Sequence, residues 1–123
     1  MGALAHGTGM SHAQLVERYY EAIDENDDEA LVSVLAPEFR HDRPDRTLEG
    51  RDRFIEFMLE ERPTTDTVHA VDTVFLPEEQ PDGAEEVAVH GRLFNTDGTE
   101  QFAFVDLFTI GDDGVTQLRT FTK

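Results

Sequence analysis

The sequence predicts an α+β domain, three helices followed by an antiparallel sheet, and three observations carry that expectation. Apolar residues recur at helical spacing from Leu15 to Met58. Beyond Pro63 the apolar period falls to two. The alternating segments are separated by turn-forming clusters such as Asn95-Thr96-Asp97-Gly98 and Gly111-Asp112-Asp113-Gly114.

Taken in order, Ser11 and Gln14 have the form of a capping box opening a first helix. Leu15, Val16, Tyr19, Ala22 and Ile23 form its apolar stripe. Asn26-Asp27-Asp28 breaks that helix and caps a short second one carrying Ala30, Leu31, Val34 and Leu35, which Pro37 is expected to close. Residues 39–48 read as polar loop with a short strand around Arg40-His41-Asp42. Gly50 precedes a third helix burying Phe54, Phe57 and Met58 and ending at Pro63. Four strands are then expected over residues 67–76, 86–94, 99–110 and 115–122, with a turn-rich stretch over 77–83.

The third of these strands holds the most informative residue. One face of it carries Phe102, Phe104, Phe108 and Ile110, and Asp106 stands among them. A carboxylate in such company must be paired, protonated or hydrogen-bonded, because leaving it charged and dry costs too much. An ion pair with Arg119 or Arg92 on a neighbouring strand is one solution, and a protonated carboxyl is another. The other face, Ala103, Val105 and Leu107, is apolar too, so a homodimer packed sheet to sheet is expected.

At 123 residues the chain suits one domain over 11–123, with residues 1–10 as a disordered leader. Formal net charge is −17, from 27 acidic and 10 basic residues, and Lys123 is the only lysine. Such a surface looks like adaptation to a salt-rich, halophilic cytoplasm, where a Debye length of about 3 Å at 1 M salt screens self-repulsion. Stability is therefore expected to fall as salt is removed. The same charge disfavours nucleic acid and anionic membrane as partners. With no cysteine there is no disulfide or thiolate chemistry. No stretch is apolar enough to span a membrane, and residues 1–9 lack a signal-peptide core, so a cytoplasmic location is expected.

Arg18-Tyr19-Tyr20-Glu21-Ala22-Ile23-Asp24, Arg40-His41-Asp42 and the run from Val105-Asp106-Leu107-Phe108 to Asp113-Gly114 occur in the order and setting of three ketosteroid-isomerase motifs. From Ser11 to Phe121 the chain resembles the nuclear transport factor 2-like superfamily, in its SnoaL-like polyketide cyclase and ketosteroid-isomerase-like group. The resemblance implies a curved, mostly antiparallel sheet wrapped as a cone around three N-terminal helices, an apolar pocket, and commonly a homodimer. It also implies roles: Asp42 as general base, Tyr19 and Asp106 as oxyanion donors. In ketosteroid isomerases one aspartate is ionised and a second is neutral at pH 7. One departure is plain. Where the isomerase pattern has aspartate then proline, Arg43 stands here between Asp42 and Pro44.

The resulting expectation is a cofactor-independent enzyme acting on a small apolar carbonyl compound by proton abstraction and enolate stabilisation, as an isomerase, cyclase or dehydratase. Phe57, His90, Phe102, Phe104 and Phe108 are the candidate pocket walls. His41 is an alternative base, and His69 a candidate cavity residue. No histidine pair has metal-site spacing, so neither metal nor cofactor is expected. Two other readings stay open: a non-catalytic binding or dimerisation domain, and an epoxide hydrolase using Asp42, Arg119 and Asp106.

Overall fold

The computed structural model describes residues 11–61, 67–76 and 85–123. The expected leader 1–10, the helix stop at Pro63 and the turn over 77–83 lie outside the described residues. Helix α1 (His12–Glu25) opens on a complete capping box: the Gln14 N–H donates to Ser11 Oγ (3.1 Å) and the Ser11 N–H to Gln14 Oε1 (2.9 Å). It closes at Asn26, which takes the left-handed conformation (φ 55°) common at helix C-termini. Asp27 then caps α2 (Asp28–Val34) by accepting from the Ala30 N–H at 3.1 Å.

Next the chain departs from expectation. Pro37 does not precede a loop; it lies within strand β1 (Leu35–Asp42), which pairs antiparallel with the short β2 (Thr47–Glu49). Proline is tolerated there because the register of β1 against its other neighbour is irregular between Leu35 and Arg40. Gly50 (φ 95°) turns the chain into α3 (Arg51–Glu56), which continues as a π-helical turn, Phe57–Glu61. Strands β3 (Thr67–Phe75), β4 (Glu85–Asn95), β5 (Glu100–Gly111) and β6 (Gly114–Thr122) follow.

These strands form one six-stranded sheet in the order β2-β1-β6-β5-β4-β3. Every neighbouring pair is antiparallel except β1–β6, which is parallel. The sheet is curved and unclosed, and the three helices lie against one face: an α+β cone. Val87, Val89, Phe108, Ile110, Val115 and Leu118 from the sheet meet Val16, Ile23, Leu31, Val34 and Phe54 from the helices in a single buried cluster. Each such side chain contributes about 1.5–3 kcal/mol when removed from water. On the opposite face Val105 and its register partner Phe121 are 37% and 53% exposed.

Candidate active site

Strand alternation turns Phe104, Asp106 and Phe108 of β5 inward. Toward the ends of β1 and β6, and the facing ends of β3, β4 and β5, the core gives way to a cavity of about 240 Å³. Asp106 lines it and is only 5% exposed. Its carboxyl is held at both oxygens: Tyr20 Oη lies 2.6 Å from Oδ2 and Thr120 Oγ1 lies 2.6 Å from Oδ1. Thr120 is the register partner of Asp106 across β5–β6, and its hydroxyl also meets His41 Nε2 at 2.8 Å. A hydrogen-bonded row, His41–Thr120–Asp106–Tyr20, thus ties β1, β6, β5 and α1 together around one carboxyl.

Burial pushes the Asp106 carboxyl above its ordinary range. The Thr120 and Tyr20 hydroxyls and positive charge at His69 and Arg43 pull the other way without cancelling it. Tyr20 is pushed well above its ordinary value by burial, then by the charge and hydrogen bond of Asp106. His41, 3% exposed, falls to about 3, chiefly because burial penalises the imidazolium and secondarily because Arg43 repels it. His41 is therefore neutral near pH 7. With Thr120 donating to Asp106, Nε2 of His41 carries the ring proton, and its Nδ1 is a buried acceptor with no partner among the described residues.

The protonation state of Asp106 decides what Tyr20 can do. An ionised carboxylate accepts both neighbouring hydroxyls, so neither is free to serve a ligand. A carboxyl protonated on Oδ2 donates to Tyr20 Oη, and the Tyr20 O–H is released to point into the cavity.

A second polar group borders the same space. Asp24, one helical turn after Tyr20, accepts from the backbone N–H of His69 (2.9 Å) and from its ring Nδ1–H (2.6 Å). This two-point hold fixes the ring orientation and leaves Nε2 as its basic nitrogen. The His69 ring lies 5.2 Å from that of Tyr20 and 5.8 Å from that of Phe104. Phe104 reaches this position across Gly91, where a Cβ would come within 2.7 Å of the ring and 2.6 Å of the Ala70 carbonyl. Sequence reasoning did not single out Tyr20, Thr120 or Asp24; the i, i+4 spacing of Tyr20 and Asp24 was the available signal.

The sequence-predicted residues separate into two groups. Asp106, Tyr19, Phe102 and Phe104 line the cavity. Asp42 does not. Because β1 is a strand, His41 faces in and Asp42 faces out, where Arg40 (2.9 Å), Thr47 (3.0 Å) and Gln117 (3.0 Å) hold its carboxylate. Burial is the largest single influence on the Asp42 carboxyl and raises it, but these donors together outweigh it and its affinity for protons is lowered. His90 is exposed on the outer face of β4. Phe108 is fully buried behind both tyrosine rings, and Phe57 lies beneath the guanidinium groups of Arg43 and Arg46 rather than in the wall. Tyr19 packs against Phe54, Phe108 and Tyr20, and the tyrosine on Asp106 is Tyr20.

The ion pairs weighed for Asp106 do not form. Arg119 meets Glu86 at 3.5 Å, and Arg92 meets Asp72 at 3.0 Å. Asp42 and Asp106 occupy opposite faces of the sheet, so the trio required for epoxide hydrolysis is not assembled. Among the described residues no group of three or more His, Asp or Glu side chains converges as a metal ion would need. None of the described helices is long and apolar enough to cross a membrane.

A comparison with curated protein sequences finds no match. Solved structures share the fold at low identity. An NTF2-like protein of unknown function from Cytophaga hutchinsonii is 19% identical with a TM-score of 0.74, over 95% of this chain and 94% of that one. A Kribbella flavida protein provisionally assigned as a ketosteroid isomerase is 22% identical, TM-score 0.71, over 89% of this chain and 75% of its own. A Sinorhizobium meliloti protein provisionally assigned as a polyketide cyclase is 17% identical, TM-score 0.70, over 87% and 93%. The family model for the SnoaL-like domain matches residues 16–118, a span running from the first buried residue of α1 to the middle of β6. The chain therefore belongs to the SnoaL-like domain family, within the NTF2-like superfamily.

Proposed function

We propose that the protein is an enzyme of proton transfer, forming and reprotonating the enolate of a small carbonyl compound. The observation that carries this reading is the buried carboxyl of Asp106 behind Tyr20, in the same cavity as a histidine held by Asp24. His69 Nε2 takes the proton from the carbon next to the carbonyl, and the C–H electron pair moves to form the enolate. Its oxygen accepts the Tyr20 O–H, which protonated Asp106 has released. The imidazolium of His69 then returns the proton at the same or a conjugated carbon. His41 is excluded as base, because a group that binds protons only near pH 3 cannot hold one at neutrality. The base role expected of Asp42 passes to His69, and the donor role expected of Tyr19 passes to Tyr20. Asp106 becomes a positioning residue acting through Tyr20.

Two measurements test the reading. Titration with a fluorescent naphthol, an enolate mimic, in molar KCl should show ionised-naphthol emission that is lost in Tyr20→Phe. Deuterium exchange into cyclohexanone in heavy water, followed by NMR, should be accelerated by the protein. His69→Ala should lower the acceleration by about 10²–10⁴, the range typical for a general base. Naphthol binding without exchange would make the protein a non-catalytic binder. Neither would end the small-molecule reading altogether. As a second feature of the same reading, the apolar outer face with Val105 and Phe121 serves a homodimer in a salt-rich cytoplasm.

A further inference from the structure

We infer that the cavity selects a small anionic substrate, a carbonyl compound of about ten heavy atoms bearing a carboxylate, and that Arg43 is the residue that holds that carboxylate. The inference rests on the proton-transfer reading for the carbonyl and on separate observations for the anion. Arg43 follows directly on β1 and is set by a tight turn in which its N–H donates to the Arg46 carbonyl at 2.8 Å. It borders the cavity beside Pro44, with its guanidinium 5.0 Å above the Phe57 ring and Nη1 3.9 Å from Met58 Sδ. Stacking on an aromatic face fixes the plane of a guanidinium and leaves its edge for bidentate binding of a carboxylate.

Among the described residues, the two guanidiniums at the mouth have one carboxylate within ion-pair distance. Arg46 covers the same ring at 4.8 Å, and both guanidiniums share Asp45, at 3.4 and 3.3 Å, whose side chain is 57% exposed. Two cations thus share one solvated carboxylate, with Glu61 acting on Arg46 from farther away. Within the cavity, the Asp106 carboxyl is taken up by Tyr20 and Thr120 and disposed toward its neutral form by burial, and the Asp24 carboxylate is spent on His69. In a chain with 27 acidic and 10 basic residues, an arginine at the rim of a cavity, with no direct ion pair to a cavity carboxyl among the described residues, is a conspicuous placement. His41, whose buried Nδ1 has no hydrogen-bond partner among the described residues, lies in the same wall. Size sets the other bound. At about 30 Å³ per water in the liquid, 240 Å³ holds the equivalent of about eight waters, enough for one ring and a carboxylate. The arginine that separates Asp42 from Pro44 in the sequence thereby acquires a purpose.

The test is equilibrium binding of benzoate, its neutral isostere benzamide, and phenol as a probe of the Tyr20 donor, in fixed salt, to the wild-type protein, Arg43→Gln, Arg43→Lys and Asp45→Asn. Wild type should prefer benzoate over benzamide by tenfold or more. That preference should vanish in Arg43→Gln, survive in part in Arg43→Lys, and grow severalfold in Asp45→Asn, which frees both guanidiniums. Phenol affinity should stay within twofold in all four proteins. Equal binding of benzoate and benzamide by wild type, or a benzoate preference that persists in Arg43→Gln, overturns the inference. The phenol arm separates the two readings. Phenol bound with no benzoate preference rejects the anion site alone. Benzoate preference through Arg43 with no phenol binding upholds the anion site and rejects the enolate donor.

Discussion

Replacing Asp106 by asparagine and by leucine distinguishes a neutral carboxyl from an ionised one. Asparagine reproduces the protonated state: its Nδ2–H donates to Tyr20 Oη, and its Oδ1 accepts from Thr120, as the two 2.6 Å contacts require. Its stability at pH 7 should lie within about 1 kcal/mol of wild type. Leucine removes the Asp106 contact of both hydroxyls, leaving Thr120 only His41. At roughly 1–3 kcal/mol for each unsatisfied buried group, offset by roughly 1.5–3 kcal/mol for burying the new side chain, the net loss is about 1–3 kcal/mol. For a domain of this size that lowers Tm by about 4–12 °C. The pH dependence is the sharper readout. The folded-state affinity of Asp106 for protons is raised above the ordinary carboxyl value of 3.8. Its contribution to stability is therefore fully present below pH 3.8 and is lost as pH rises through the raised folded value. The difference in unfolding free energy, wild type minus Asp106→Asn, should fall with pH in that window when measured by urea denaturation in molar KCl. A difference that stays flat between about pH 4 and 9, or an asparagine variant as damaged as the leucine one, would refute the neutral carboxyl.

His41 makes an opposite contribution: its affinity is lowered, from 6.5 to about 3, so the neutral ring supports the fold above pH 6.5 and that support drains away as pH falls toward 3. At about 1.4 kcal/mol per tenfold change in proton affinity this reaches ~5 kcal/mol, and His41→Gln should flatten acid unfolding over that range. Gly91→Ala should cost about 1–3 kcal/mol by overpacking and weaken phenol binding, since the Phe104 ring must move; unchanged binding would show that the ring does not shape the cavity. The thermal midpoint should rise between dilute buffer and molar KCl, and an equal midpoint would remove the halophilic reading. Val105→Glu should convert the proposed homodimer to monomer by sedimentation, and a wild-type monomer at micromolar concentration would remove the dimer.

Residues whose role follows from local periodicity were legible in the sequence. Ser11 and Gln14 form the capping box that their spacing announces, and strand alternation alone sets Asp106 among phenylalanines. Misplacement began where a long-range partner decides the geometry. A segment containing Pro37, Glu38, Arg40 and Asp42 has little intrinsic strand character; it is a strand because β6 pairs with it in parallel. Without that pairing the parity of His41 and Asp42 is undefined, and the inward residue is the histidine. Tyr19 and Tyr20 are both buried on α1, and only the position of β5 over the helix decides which hydroxyl reaches Asp106. The Asp24–His69 pair joins residues 45 apart, beyond any local pattern.

Strand β6 is inserted between β1 and β5, and the hydrogen bond from His41 to Thr120 spans 79 positions. Synthesis makes this piece after every other strand. A nascent chain that has reached Gly111 possesses both tyrosines, Asp106 and the Asp24–His69 pair, yet the edges of β1 and β5 are open and the roof of the cavity is missing. Closure over so long a loop is slow relative to local helix formation, and open edges invite association with other chains. With a net charge of −17, like-charged unfinished chains repel at low ionic strength while they wait for residues 114–122, and added salt removes that protection.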